Sequence, residues 1–309
     1  MEALKDTGLV ILTTPVYILL IGLEVFLSRL HARGFYSLRD SLTNLWLSLL
    51  NGGIDLAFRV VYLAVLLWCF QYRIFEPTTG MLYWGLLLLL EDFAFYWLHR
   101  FDHFVRVFWA VHVTHHSSEH FNLTVGFRSS VFQPLYRFLY FIPLAFVGFR
   151  PEDILLMYAA TQIYGILIHT RFVPKLGFLE YVLATPSHHR VHHGSNPRYL
   201  DKNMGMIFIF WDKLFGTFQE ELTEDPVQFG LTSKLGTYHP FKVVFHEWAQ
   251  IWQDVRQAPG FYNKWMYLFG PPGWSHDGSR LTSEQMRELE TVKTHYHQKT
   301  DDKVVLDPH

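Results

Sequence analysis

Apolar residues gather along this chain in runs that approach or reach the roughly 20 residues a helix needs to cross a bilayer. Residues 9–30 form the first run. Residues 54–70 form the second, with Asp55 and Arg59 near one end, and 81–98 the third, which carries Glu91 and Asp92. Residues 131–149 and 154–172 are the fourth and fifth, separated mainly by Arg150-Pro151-Glu152-Asp153. That connection predicts a helical hairpin, either crossing the bilayer or partly embedded in it. The first run lacks a basic leader and a small-residue cleavage site, so it reads as an uncleaved anchor. Beyond Asn203 the pattern changes. Residues 204–218 are apolar and aromatic but short and interrupted by Asp212 and Lys213, which predicts an interfacial segment. Phe241, Val244, Phe245, Trp248, Ile251, Trp252 and Val255 recur at helical spacing, hence an amphipathic helix. Gly270-Pro271-Pro272-Gly273 is a break, and Thr282-x-x-Gln285 is a capping box that opens a polar last helix through Lys293. The tail after Gln298 is expected to fray.

Composition sharpens this picture. Half of the 309 residues are hydrophobic and only 17% are charged, below the roughly 25% of soluble domains. A net charge of −2 gives no basic footprint for nucleic acid. The single cysteine, Cys69, excludes a disulfide framework and a Cys-rich zinc or iron–sulfur site. Arg29, Arg33 and Arg39 follow the first run, Arg100 and Arg106 the third, and Arg171 and Lys175 the fifth, whereas the opposite loops hold mainly Arg73 and Arg150. This asymmetry predicts cytoplasmic histidine-rich loops and C-terminal tail, with the N-terminus across the membrane.

The distinctive chemistry is imidazole. Of 18 histidines, eleven lie between His99 and His193. His99 and His103 stand at i, i+4; His112, His115 and His116 at i, i+3, i+4; and His189, His192 and His193 repeat that triple. Such spacings put each group on one helical face, where several rings reach one point. Eight motif histidines exceed the four ligands of a single zinc site, so they predict two ions with about four or five ligands each, His169 being a ninth candidate. Ligand type alone leaves zinc, copper and iron open. Ligating histidines usually donate their other N–H to a carboxylate or carbonyl. Asp92, seven residues before His99 and inside a run, is the leading candidate partner, followed by Glu91, then Asp102, Glu119, Asn122, Asp201 and Asn203. Tyr96 and Trp97 read equally as interface aromatics or cavity walls. His188 and His120 read as structural, and His31, His239, His246, His276, His295, His297 and His309 as solvent-facing. The sequence has no G-x-G-x-x-G nucleotide fingerprint and no C-x-x-C-H haem attachment.

Asp92-x-x-x-Tyr96-Trp97-x-His99-Arg-x-x-His103, then Trp109-x-x-His112-x-x-His115-His116-Ser-Ser-Glu-x-x-Asn122, then Thr185-Pro-Ser-His188-His189-Arg-Val-His192-His193-Gly resemble the fatty acid hydroxylase / sterol desaturase superfamily. Within it the likeness is greatest to the alkylglycerol monooxygenase-like members. The stretches that carry it are His115 to Glu119, Thr185 to Gly194, Asp201-Lys202-Asn203 and Trp211 to Phe218. The resemblance implies a membrane enzyme with a histidine-ligated di-iron centre, held by His99, His103, His112, His115, His116, His189, His192 and His193. It implies O2 as co-substrate, a membrane lipid as substrate, and as electron source a separate donor protein or a reduced pterin. Asp92 and Asn122 are the expected catalytic residues beside the metal. The expected architecture is an all-α integral membrane protein with about five transmembrane or membrane-embedded helices and a cytoplasmic histidine-rich di-metal cap. Its expected division is 1–80 as anchor helices, 81–220 as the catalytic domain and 221–309 as a cytoplasmic helical extension. The expected function is O2-dependent lipid hydroxylation, on an ether lipid or an acyl chain. The alternatives are a sterol or carotenoid hydroxylase or desaturase of the same superfamily, and a non-catalytic membrane metal transporter or sensor. A transporter distributes ionisable residues along several spans, whereas here the histidines gather at one predicted face.

Overall fold

The computed structural model describes residues 5–292, and within them the chain is all-helical apart from two isolated bridges, Leu183 with Phe208 and Gly194 with Phe229. The expectations for Lys293, His295, His297, His309 and the tail lie outside the described residues. Three long helices come first: α1 (Lys5–Leu30), α2 (Leu38–Phe70) and α3 (Met81–Phe104). All three are long and apolar enough to cross a membrane. In the apolar windows of α1 and α2 only 17% of residues are buried in the protein, against 39% in α3, which makes α3 the central helix. The outward faces of α1 and α2, with Leu12, Leu19, Leu56 and Val60 among others, are exposed as a lipid-facing surface requires.

The second run is longer than its hydropathy predicts, because α2 begins at Leu38. Asp40, Thr43 and Asn44 depress the apolar signal there, yet all three are buried and point into the protein. The fourth and fifth runs become α5 (Phe138–Val147) and α6 (Pro151–Leu167), of 10 and 17 residues. At 1.5 Å per residue these span about 15 and 25 Å, short of the roughly 30 Å of a hydrocarbon core. They form a hairpin packed on α2 and α3, and α6 also packs on α1. Leu66, Cys69, Tyr83, Leu87, Phe141, Leu144 and Ile154 make the core between these helices.

α4 (Arg106–His116) follows α3 after a single extended residue, Val105. Two short helices, α7 (Pro186–His192) and α8 (Phe210–Phe215), lie beyond the hairpin. α9 (Pro240–Gln257) and α10 (Gly260–Phe269) pack on α4. Buried Arg106 fastens this arrangement with ion pairs to Glu247 at 2.8 Å and Asp254 at 2.7 Å. α9 is the predicted amphipathic helix, but its buried positions are Val243, Val244 and Ile251, while Phe241 and Trp252 face outward. Helix 283–292 starts at the predicted capping box, where the Thr282 N–H donates to Gln285 and the Gln285 N–H donates to Thr282. In the 204–218 segment Met204, Met206 and Ile209 are buried within the protein, while Leu214 is exposed.

Candidate metal centre

The three histidine motifs fall where helices can aim them inward. His99 and His103 occupy the last turns of α3, His112, His115 and His116 the second half of α4, and His189 and His192 lie on α7 with His193 at its end. α7 is only seven residues long and depends on its start: Pro186 sits in the first turn, and the Thr185 hydroxyl accepts from the His188 backbone N–H. His188 is part of that cap, with its Nε2 3.1 Å from Glu180, so its structural reading stands. His169 comes from the exit of α6.

These elements bring nine rings together in two sets. His99, His103, His112, His116 and His192 form one, and His115, His169, His189 and His193 the other, with the potential ligand atoms of each set within 4.8 Å of one another. The sets adjoin, His116 stacking on His193 with centroids 4.4 Å apart. Each set draws on more than one motif, so neither forms without the tertiary fold.

The outer ring nitrogens decide what the inner ones can do. His99 Nδ1 meets the Met204 carbonyl at 2.8 Å, His115 that of Arg128 at 2.9 Å, His169 that of Gly165 at 2.7 Å, and His192 that of Lys202 at 2.9 Å. A carbonyl only accepts, so each of these Nδ1 atoms carries the proton. His103 Nδ1 likewise meets Asp201 at 3.1 Å, and His112 Nδ1 meets the Ser130 hydroxyl at 3.0 Å with Asp102 3.8 Å away. In neutral rings the Nε2 atoms of His99, His103, His115, His169 and His192 are therefore lone pairs. Nε2 atoms crowd together: His99 to His112 at 3.0 Å, His116 to His112 at 3.1 Å, and His189 to His169 at 2.9 Å. The buried Nε2 atoms of His103 and His192 have no partner at all. Burial holds the imidazoles of α4 and α7 neutral. His112, His116, His189, His192 and His193 are pushed well below the ordinary histidine range, and His115 to about 4. A cation between the rings satisfies every one of these lone pairs, so the residues present fit a pair of metal ions.

The surrounding polar groups position rather than ligate. Asp92 does not touch a histidine: its carboxylate accepts from the Ile207 and Phe208 N–H groups at 2.8 and 3.1 Å and from the Trp211 indole at 3.1 Å. Asp212 accepts from the Met204 and Gly205 N–H groups at 2.6 and 2.8 Å, thereby holding the carbonyl that His99 uses. The Asn122 amide donates to the Phe35 carbonyl at 2.7 Å and its oxygen accepts from Thr124, fixing the loop whose Phe121 stacks on His169. Thus Asp92 and Asn122 sit around the centre and not at it, while Asp201 and Asp102 are the carboxylates beside its histidines. Glu91 is fully buried and accepts from Thr161 at 3.2 Å. Tyr96 is buried against Thr217 at 2.9 Å, and Trp97 packs on Phe215. His246 is half-buried rather than solvent-facing. Sequence reasoning overlooked Glu24, which clamps α1 to the site loops by accepting from Thr170 at 2.6 Å, from the Leu123 N–H at 2.9 Å and from Tyr36. It lies inside a span, the one signal that would have flagged it.

Two openings reach the rings from different sides. A chamber of about 100 Å³ touches His99, His112, His115, His169 and His189 and continues between α2, α5 and α6 past Asn51, Gln133, Arg137, Tyr158 and Gln162. Its wall is tight at Gly126, where a Cβ would sit 3.0 Å from the Ile166 backbone and 3.2 Å from His169 Nδ1. A larger cleft of about 790 Å³ touches His103, His116, His192 and His193 and is walled by Trp109 and by residues 230–235, α9 and the segment around Arg280.

Residues 84–217 match the fatty acid hydroxylase family. Alkylglycerol monooxygenase of Homo sapiens is 39% identical over 281 residues, covering 89% of this chain and 62% of that protein. An ornithine lipid hydroxylase of Rhizobium tropici is 29% identical over 149 residues (48% of this chain, 45% of that protein), and lathosterol oxidase of Homo sapiens is 27% identical over 154 residues (48% of each). The chain spans about three fifths of the length of the alkylglycerol monooxygenases it matches. No solved structure matches it.

Proposed function

We propose, from the match of residues 84–217 to the fatty acid hydroxylase family, that the protein is a membrane-bound di-iron oxygenase that hydroxylates a C–H bond of a membrane lipid. The balanced reaction is RH + O2 + 2e⁻ + 2H⁺ → ROH + H2O. The observation that carries the reading is the nine-imidazole convergence, in which the four rings bonded to backbone carbonyls turn Nδ1 protons outward and Nε2 lone pairs inward. A five-nitrogen set exceeds the tetrahedral preference of structural zinc, and hydroxylating an alkyl C–H bond needs a redox metal. Bound iron would supply the O2 activation. The chain's own residues do the rest. His99, His103, His112, His116 and His192 hold one ion and His115, His169, His189 and His193 the other. Asp201 and Asp102 increase the basicity of His103 and His112. Asp92, Asp212 and Asn122 fix the loops that carry the ligands and their carbonyl partners.

The small chamber between α2, α5 and α6 receives the lipid, and the large cleft on the other side is where the electron donor, a separate protein or a reduced pterin, reaches the centre. An ether lipid is the favoured substrate, supported by the full run of similarity to alkylglycerol monooxygenases. The Arg and Lys asymmetry supports a multi-pass protein with its centre on the cytoplasmic side. Residues 1–80 serve as anchor, 81–220 as catalytic domain and 221–309 as an extension, of which residues between 230 and 286 wall the cleft. The test is turnover of reconstituted protein with membrane lipids under 18O2. Incorporation of one labelled oxygen into a lipid supports the reading. Incorporation of none, with iron bound and electrons supplied, overturns it.

A further inference from the structure

We propose that the hairpin of α9 and α10 is a second membrane contact: it lies along the membrane surface with an aromatic face among the lipid headgroups, while the opposite face of α9 walls the large cleft. The inference concerns how the protein sits on lipid and does not depend on the oxygenase reading. Phe241, Trp252, Phe261, Tyr262 and Trp265 are 51–81% exposed. On α9, Phe241, Phe245 and Trp252 stand at i, i+4 and i+11 and share one side of the helix, whereas His246, Glu247 and Gln250 line the cleft. On α10, Phe261, Trp265 and Phe269 follow at i, i+4 and i+8, with the Trp265 and Phe269 ring centroids 4.3 Å apart. An exposed aromatic surface of this extent marks a contact.

The hairpin is attached at two places, and both lie at the same depth. Val243 and Val244 of α9 share a core with Leu47 of α2, and Ile54 packs against it. Along the axis of α2, Leu47 and Ile54 stand about 35 and about 24 Å from Phe70 at its far end, bracketing the roughly 30 Å of a hydrocarbon core. α10 ends before Gly270, whose carbonyl accepts from the Arg106 N–H at 3.1 Å. That contact adjoins the end of α3, where Phe104 lies about 35 Å from Met81 at the start of the helix. Both ends of the hairpin are thus held where two spans leave the lipid. The same parts of those spans expose Leu45, Trp46 and Leu49 on α2 and Phe101 and Phe104 on α3, so apolar surface runs at this level from the spans onto the hairpin.

Charge fits the same occupant. Between Tyr238 and Trp274 the acidic residues are Glu247 and Asp254, and both pair with Arg106, at 2.8 and 2.7 Å, away from the aromatic stripe. Lys242, Arg256 and Lys264 are exposed, and the Arg256 guanidinium lies over Trp252, 5.7 Å from the ring centroid. Trp and Tyr rings settle at headgroup level, and Lys and Arg reach lipid phosphates while their stems stay on apolar surface. A protein partner or a second copy of the chain would have to displace lipid from a face that two spans already hold at the boundary.

The experiment places a fluorescent label on Phe261→Cys, Trp265→Cys or Gln250→Cys, each combined with Cys69→Ala, in the full chain. The protein is held in nanodiscs of phosphatidylcholine and phosphatidylglycerol, part of the phosphatidylcholine carrying a nitroxide high on its acyl chain. An in-plane helix sinks its apolar face about 5–10 Å into the headgroup and acyl boundary, which is the depth of that nitroxide. Labels at 261 and 265 are expected to shift to the blue, to lose most of their emission to the nitroxide and to resist aqueous iodide. The label at 250, in the cleft, is expected to behave the opposite way. Iodide quenching at 261 and 265 without nitroxide quenching overturns the proposal, because the face is then in water. Resistance to both quenchers overturns it as well, because a protein then covers the face. The unmodified protein supplies a second readout, with a phospholipid carrying a photoreactive diazirine at the same depth. Crosslinks to residues 261–269 are expected, and their absence while α1 and α2 crosslink overturns the proposal.

Discussion

Arg128 is the buried cation on which the second histidine motif is hung, and removing its charge should loosen the centre without touching a ligand. The residue is 1% exposed. Its Nε donates to the Thr114 carbonyl at 2.9 Å and to Ser117 at 3.1 Å, and its Nη1 donates to Asp40 at 3.2 Å and Asn44 at 2.7 Å. In Arg128→Met the Asp40 carboxylate keeps Ser118 at 2.8 Å and Asn44 at 3.2 Å but loses its counter-charge, and the Thr114 carbonyl loses its donor. Breaking one side of a buried ion pair costs about 3–5 kcal/mol. For a chain of this size that is an apparent Tm drop of roughly 6–20 °C. The Arg128 carbonyl that holds His115 is main chain and stays. The expected phenotype is therefore reduced stability, with bound metal falling in proportion to the unfolded fraction. The assay is thermal unfolding in detergent alongside metal content, in a cycle with Asp40→Asn. The double variant should be less destabilised than the sum of the singles, because neither charge is then left alone. Additive losses, or a single-variant Tm within about 2 °C of wild type, which is about 1 kcal/mol or less, would refute the reasoning.

Replacing Asp201 by Asn should weaken retention of one metal about 10- to 100-fold, read by chelator competition, with the second metal unaffected. Gly126→Ala should crowd Ile166 and His169 at the chamber wall, lowering lipid turnover while the protein still folds, as checked by circular dichroism. Asp254 gives a pH signature. Burial alone would raise its carboxyl, but hydrogen bonds from Arg106 and Arg280 outweigh that and hold it below the usual value of 3.8. A carboxylate lowered on folding stabilises above its unfolded pKa and loses that contribution as pH falls through the folded one. Unfolding temperature followed from pH 6 to about 2 should accordingly decline less steeply in Asp254→Asn.

The histidine arithmetic was legible because helical spacing alone puts His112, His115 and His116, or His189, His192 and His193, on one face. What spacing could not convey is how the sets interleave: His192 leaves its own motif to join His99, and His116 parts from His115. That partition depends on long-range packing. Hydropathy found α1 and α3 but clipped α2, because Asp40, Thr43 and Asn44 read as surface and are in fact buried, Asp40 and Asn44 against Arg128 and Thr43 against the Tyr238 carbonyl. It overextended α5 and α6, since the apolar runs continue into flanking turns that are not α-helical. Asp92 drew attention as a carboxylate in a span near His99, yet its partners are backbone N–H groups 115 and 116 residues away, which no local pattern reveals. The groups that fix the ring tautomers are mostly main-chain carbonyls, invisible to any reading of side chains.

The account stands or falls on two ions shared among nine imidazoles. Metal analysis of protein purified anaerobically from iron-replete cells tests it most directly: two irons per chain are expected, falling when His169 or His192 is replaced by Ala. Protein carrying no transition metal, or a single tightly held zinc, would contradict it.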